Sequence, residues 1–160
     1  MKAKIVALDK LIRIGDGCRA QGKKIVSAGG CFDILHAGHI AYLEEAAVLG
    51  DLLVIFLNSD HSVHRLKGME RPVVPQAERA AVLAGVGCVD YICLFDEQSP
   101  CECIRKVKPD IFVKGSEYQG RPIPETEVLH SYGGRVEFIN MVNGCSTTNI
   151  IQKIREGYRE

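Results

Sequence analysis

The stretch Leu52-Leu53-Val54-Ile55-Phe56-Leu57 sets six apolar residues side by side with no polar alternation. A strand with one solvent face would alternate, so this run predicts a strand buried on both faces of a parallel sheet. Shorter apolar runs predict four more strands, over residues 24–28, 89–94, 110–113 and 135–139. Between them apolar residues return at helical spacing. Leu8, Leu11, Ile12 and Ile14 mark a leading helix over 7–20, stopped by Gly22; Ile40, Leu43, Ala47 and Val48 mark a second, from near His39 to Gly50. A short helix is expected over 60–66, another over 75–83 opened by Pro75, and a third over 100–107, capped by Ser99 and opened by Pro100. Residues 125–132 form the next, ended by Gly133-Gly134, and the final one follows Ser146 to about Gly157. Strands alternating with helices imply an α/β, Rossmann-like parallel five-stranded sheet with helices on both faces. A chain of 160 residues fits one domain over 1–160, with 1–22 as an N-terminal helical extension. No internal repeat or low-complexity tract interrupts it.

Charge narrows the classes of partner. Twenty basic residues cancel twenty acidic ones, which argues against nucleic acid, whose binders lean on net positive charge. No 18-residue apolar stretch predicts a membrane span, and the first ten residues lack the apolar core of a signal peptide, so the expected location is the cytoplasm. Seven cysteines (18, 31, 88, 93, 101, 103 and 145) without a secretion signal read as reduced thiols, several packed as small apolar residues. Cys101 and Cys103, near Cys88 and Cys93, do not follow a zinc spacing and face different ways on a helix.

In parallel α/β sheets ligands bind beyond the carboxyl ends of the strands, where the strand order reverses. Residues 30–39, 58–67, 114–118 and 143–148 fall at such ends and should share one rim. Within the first of them His36 and His39 sit where strand turns into helix, with the small pair Ala37-Gly38 between them to let backbone approach a ligand. A helix start offers free N–H groups and partial positive charge to phosphate. Two imidazoles added there predict phosphate chemistry, beyond phosphate binding alone. Lys67, on a loop flanked by Gly68 and Pro72, is placed to close over phosphates, and Lys114 ends a strand where its head reaches water and ligand together. Ser146, Thr147 and Thr148 precede the last helix, as N-cap and as a hydroxyl cradle for phosphate. Asp33 is expected to hold its turn by accepting backbone N–H bonds. His61 and His64 lie one helical turn apart but lack a third metal ligand, so no protein metal site is assigned and both are read as exposed.

Taken together, Gly30-Cys31-Phe32-Asp33, His36-Ala37-Gly38-His39 and Ser146-Thr147-Thr148 resemble the cytidylyltransferase-like nucleotidyltransferases. Further segments, among them Asn58-Ser59-Asp60, Arg65-Leu66-Lys67-Gly68, Arg71-Pro72-Val73, Val113-Lys114-Gly115 and Gly144-Cys145, resemble the adenylyltransferase branch that makes ADP-heptose. The resemblance covers nearly the whole chain. It implies transfer of AMP from ATP to D-glycero-D-manno-heptose 1-phosphate with release of pyrophosphate, a magnesium ion, and a homodimer. It implies nucleotide contacts from Gly30, Cys31, Phe32, Asp33, Gly38, Arg79, Lys114, Gly115, Glu117 and the hydroxyl triplet, with Arg79 on phosphate. Acceptor contacts would come from Asn58, Asp60 and Arg65, and the reaction would be carried by His36, His39 and Lys67. Ala28-Gly29 stand where that branch usually has Thr-Asn, Ser116-Glu117-Tyr118 where it has Gly-Asp-Tyr, and His61 and His64 where Ala and Arg are common. The second difference falls among the nucleotide contacts and leaves base and sugar preference open. The alternatives are a cytidylyltransferase using CTP and glycerol 3-phosphate or a similar small phosphate, and a nucleotide-binding regulator without turnover. A tRNA synthetase fragment fails on size, charge and the lack of a Lys-Met-Ser-Lys-Ser-like loop.

Overall fold

In a computed structural model, which describes residues 3–140, 142 and 144–157, five parallel strands form one sheet. In chain order the elements are α1 Leu8–Ala20, β1 Ile25–Gly30, α2 Ala37–Ala47, β2 Leu52–Asn58, α3 Asp60–Lys67, α4 Gln76–Gly85, β3 Tyr91–Phe95, α5 Cys101–Val107, β4 Ile111–Gly115, α6 Pro124–His130, β5 Arg135–Ile139 and α7 Thr147–Gly157. A single 3₁₀ turn, Ser116–Tyr118, follows β4. The expected elements are all present, with shifted ends. The first strand runs on through Gly29 and Gly30, and α3 includes Lys67, which therefore closes a helix instead of sitting out on the loop. Gly68, at φ 92°, stops that helix in a backbone conformation that favours glycine.

Strand order is β3-β2-β1-β4-β5. The chain winds one way from β1 to β3 and returns to the other side of β1 for β4, so the reversal lies between β1 and β4. Their register pairs Val26 with Ile111 and Ala28 with Val113. The unbroken apolar run in β2 is explained by its two faces: Leu53, Ile55 and Leu57 pack into one core with α2 and α4, Val54 and Phe56 into the other with α1, α5 and α6. The N-terminal segment does more than lead into a helix. Ile5 bridges Ile92 in parallel, and Lys4 O and Val6 N bond the backbone of Ile92, which covers the outer edge of β3. Among the described residues no helix is long and apolar enough to cross a membrane. All seven cysteines are free thiols, with Cys18, Cys93 and Cys103 buried in the core.

Candidate active site

A cavity of about 690 Å³ opens over the carboxyl ends of β1, β2, β3 and β4. Of the residues expected at the site, Gly30, Cys31, Phe32, Asp33, His39, Asn58, Lys67, Lys114, Gly115, Glu117 and Thr147 line it. Asn143, expected on the same rim, lies outside the described residues.

The two histidines act as a unit. Their rings stack with centroids 3.8 Å apart and 25° between planes, and His39 also meets the Phe32 ring at 5.3 Å. His36 takes the N-cap position of α2, and its backbone N–H donates to His39 Nδ1 at 3.4 Å. With Nδ1 accepting, a neutral His39 carries its proton on Nε2, leaving an N–H free for a ligand. Burial, reinforced by the charges of His36 and Lys67, lowers the His39 pKa to about 4. Burial lowers that of His36 as well. Both imidazoles are therefore neutral donors at pH 7 in the free protein. His36 does not itself line the cavity; it lies against His39, and its Nδ1 is buried without a partner among the described residues.

Gly38 has a different reason from the one its sequence position suggests. It is buried and off the cavity wall, and a Cβ there would stand 2.8 Å from Cys145 Cβ and 3.1 Å from the His36 ring. Its bareness makes room for that ring and for the segment before α7. Phe32, earlier in the same segment, has φ 44°, a left-handed backbone on a bulky residue, next to the histidine pair.

Asp33 is structural, as its turn required. Its carboxylate accepts from Val73 N and Val74 N at 2.8 to 3.0 Å and from Arg71 Nε at 2.5 Å. Burial pushes its pKa up, but those N–H bonds and the Arg71 guanidinium outweigh it and hold the carboxyl below the usual range. Arg71, on the cavity wall, is thereby tied to the floor of the site. Cys31 beside it is pushed up by burial, with Lys67, Arg79 and Arg71 only partly opposing, so it is a thiol and not a nucleophile at neutral pH.

Arg79 departs from the phosphate contact that the resemblance implied. It is 1% exposed and off the cavity wall. Its guanidinium spends four of its five N–H donors on the protein: Nε to Val74 O at 2.9 Å, Nη1 to Cys31 O at 2.6 Å and Asn58 O at 2.8 Å, Nη2 to Asp60 Oδ1 at 2.8 Å. It ties the end of β1 to the end of β2 from beneath the cavity wall. Asp60 is drawn off with it, and its backbone N–H donates to Gln76 Oε1 at 2.8 Å. Arg65 donates to Asp96 O instead of facing the cavity. Asn58 stays on the wall, its amide donating to Ser62 Oγ at 2.9 Å. Of the hydroxyl triplet, Ser146 is the cap, accepting from Asn149 N at 3.0 Å, and Thr147 reaches the cavity and donates to Ile34 O at 3.4 Å; Thr148 lies outside it.

Several wall residues were not singled out as site residues in the sequence. Ser99, Phe112, Tyr118, Arg121 and Glu125 line the cavity. Lys114 Nζ lies 3.0 Å from Glu125 Oε1 and 4.8 Å from the Tyr118 ring centre. Lys114, Gly115 and Glu117, in the rim segment 114–118, pointed to this end of the cavity.

Comparison with known proteins agrees with this layout. Residues 27–153 match the family described as cytidylyltransferase-like. The chain is 51% identical over 155 residues to the bifunctional protein HldE of Geotalea uraniireducens (strain Rf4), covering 97% of this chain and 32% of that protein. It is 51% identical over 158 residues to the bifunctional protein HldE of Geobacter metallireducens, covering 99% and 32%. The chain thus spans about a third of the length of the curated relatives it matches. Among solved structures, the lipopolysaccharide core biosynthesis protein of Thermoplasma volcanium GSS1 superposes with a TM-score of 0.61 at 32% identity, over 76% of this chain and 98% of that one. With the stacked histidines at the strand reversal and these matches over most of its length, the chain belongs to the cytidylyltransferase-like family.

Proposed function

We propose that this chain is a nucleotidyltransferase that moves AMP from ATP to a sugar 1-phosphate, D-glycero-D-manno-heptose 1-phosphate, giving ADP-heptose and pyrophosphate. The observation that carries it is the stacked pair of neutral imidazoles at the start of α2, of which His39 lines the cavity where the strand order reverses. An oxygen of the acceptor phosphate attacks the α-phosphorus, a new P–O bond forms, and the bond to the bridging oxygen of pyrophosphate breaks. The acceptor is already ionised near neutral pH, so no general base is needed, and the demand is to place two anions together and stabilise the charge that spreads over the phosphoryl oxygens. His39 Nε2–H donates to the triphosphate, the α2 N-terminus adds backbone N–H groups, and Lys67 and Lys114, both on the cavity wall, bring positive charge. Thr147 supplies a hydroxyl at the start of α7.

Magnesium supplies charge neutralisation of the triphosphate in such reactions. Among the described residues no three His, Cys, Asp or Glu side chains are grouped to cage a metal, and Asp33 is engaged by Arg71. The fit is to an ion carried mainly by phosphate oxygens, with Glu117 the carboxylate open to it on the cavity wall. The heptose acceptor is supported by the ADP-heptose-like segments of the sequence and by the solved lipopolysaccharide core relative. We place the enzyme in the cytoplasm, where ATP is available, as a homodimer.

Pyrophosphate release, followed across four nucleoside triphosphates and a panel of phosphorylated acceptors, tests the reading. ATP with the heptose 1-phosphate should turn over fastest. CTP with glycerol 3-phosphate outpacing it would replace the acceptor and base assigned here, and binding without turnover would make the protein a regulator.

A further inference from the structure

The β4 end of the cavity holds a group that the transfer step does not use. Glu125, the second residue of α6, is 2% exposed, and one of its oxygens is matched by Lys114 Nζ at 3.0 Å. Its other oxygen, Oε2, is buried and has no hydrogen-bond partner among the described residues, although Glu125 lines the cavity. Stability gives no reason for the arrangement. A buried ion pair is commonly no better than well-packed apolar side chains of the same volume, and a buried acceptor left without a donor is a further cost. A ligand that brings the missing donor removes that cost. An anion is excluded by charge. A cation is disfavoured as well, because Lys114 already balances the carboxylate. What remains is an uncharged N–H or O–H.

We propose that Glu125 Oε2 accepts a hydrogen bond from an uncharged donor of the bound substrate, and that Glu125 is a specificity-determining residue of this cavity. The donor is an exocyclic amino group of the base, or a hydroxyl of the ribose or of the acceptor sugar. Aromatic walls suit either kind of ring: the Lys114 ammonium sits 4.8 Å from the Tyr118 ring centre and 5.8 Å from that of Phe112, which also flank this end of the cavity. The assignment deepens the nucleotidyl-transfer reading and rests on it.

The test is a cycle of substrate analogues against Glu125→Gln, read as kcat/KM. In the variant, Lys114 orients the amide oxygen toward itself, so the NH₂ takes the place of Oε2 and a donor stands where an acceptor stood. The analogues are inosine triphosphate, which replaces the amino group of adenine by a carbonyl, the 2′-deoxy and 3′-deoxy forms of ATP, and acceptors lacking single hydroxyls. One of them should lose roughly ten- to a hundredfold on the wild type, the scale of a hydrogen bond to a charged group, and lose little on the variant. If the base is the source, Glu125→Gln should turn over inosine triphosphate faster than ATP; if a hydroxyl is, the matching deoxy analogue alone should show the coupling. Glu125→Ala provides a second variant, in which the same analogue should lose its penalty. Equal penalties for every analogue on all three proteins would overturn the proposal and reduce Glu125 to a prop for Lys114. Should the wild type turn over no nucleotide, the transfer reading fails by itself, and calorimetric titration of the same analogues into the same three proteins still decides the role of Glu125.

Discussion

At the scale of single residues the site divides into groups free to meet a ligand and groups consumed in holding others. His39 is of the first kind. On the proposed reaction His39→Ala should keep its circular dichroism spectrum yet lose ~10²–10³-fold in kcat, the usual effect of removing one preorganised donor; near-normal turnover would take the imidazole out of the mechanism. Its depressed pKa also has a sign. Between the ordinary value of 6.5 and about 4, the folded protein binds fewer protons than the unfolded chain, so stability is full above pH 6.5 and falls as pH drops through that window. Urea midpoints at pH 7 and pH 5, without nucleotide, should differ more in the wild type than in His39→Ala. Arg79 is of the second kind. Arg79→Met strands Asp60 and the carbonyls of Val74, Cys31 and Asn58, and urea denaturation should show a loss of about 3–5 kcal/mol. A residue's type and its place in a motif made the histidines legible in the sequence. The same evidence could not show that Arg79 is buried on four protein oxygens, because an arginine that binds phosphate and one that binds protein oxygens are the same letter. Glu125 gave no signal at all, since an acid in the first turn of a helix is the ordinary choice there.

Elements were the most legible scale, because each apolar run had only one way to be buried. The missing information lay at their ends. β1 runs two residues further than its apolar pattern, for Gly29 and Gly30 carry no side chain to reveal which state they adopt; a Cβ on Gly29 would meet Pro100 and Phe112 at 3.2–3.3 Å. At the opposite, amino ends of the strands, aspartates tie neighbours together. Asp51, just before β2, accepts from Lys24 N at 2.7 Å; Asp90, before β3, from Leu53 N at 2.9 Å; and Asp110, before β4, from Ile25 N at 2.7 Å. Each fills the first vacant donor of the adjacent strand. The Asp110 bond spans the β1–β4 pair, the seam on which the cavity depends, and is part-buried, whereas that of Asp51 is exposed. Asp110→Ala should therefore lower stability by about 1–3 kcal/mol, and Asp51→Ala by distinctly less, since water replaces the lost acceptor. Equal losses in thermal denaturation would contradict the role given to the seam.

For the molecule as a whole, the order of strands decides which segments face each other across the cavity, and no local pattern in the sequence reports it. Alternating strands and helices implied the rim, but not that α7 would close it from the side of α2. α7 contains no buried residue, and it is held to the rest by Cys145 against Gly38, by Thr147 on Ile34 O and by the exposed pair Arg155–Glu70 at 3.2 Å. An ion pair so exposed adds little stability. Glu70, however, belongs to the segment between α3 and α4, whose Arg71 is locked to Asp33 and whose Lys67 borders the cavity. α7 thus depends on few buried contacts, the condition for low local stability, and the flank opposite it is pinned only from Arg71 onward, by Asp33. A triphosphate held by His39, Lys67 and Thr147 would bridge them from within. Amide hydrogen exchange should show α7 and residues 67–70 exchanging faster than the sheet in the free protein, and both slowing together when ATP is added. Protection limited to β1 and the start of α2 would mean that the nucleotide is held by the sheet rim alone, with Thr147 and Lys67 bystanders.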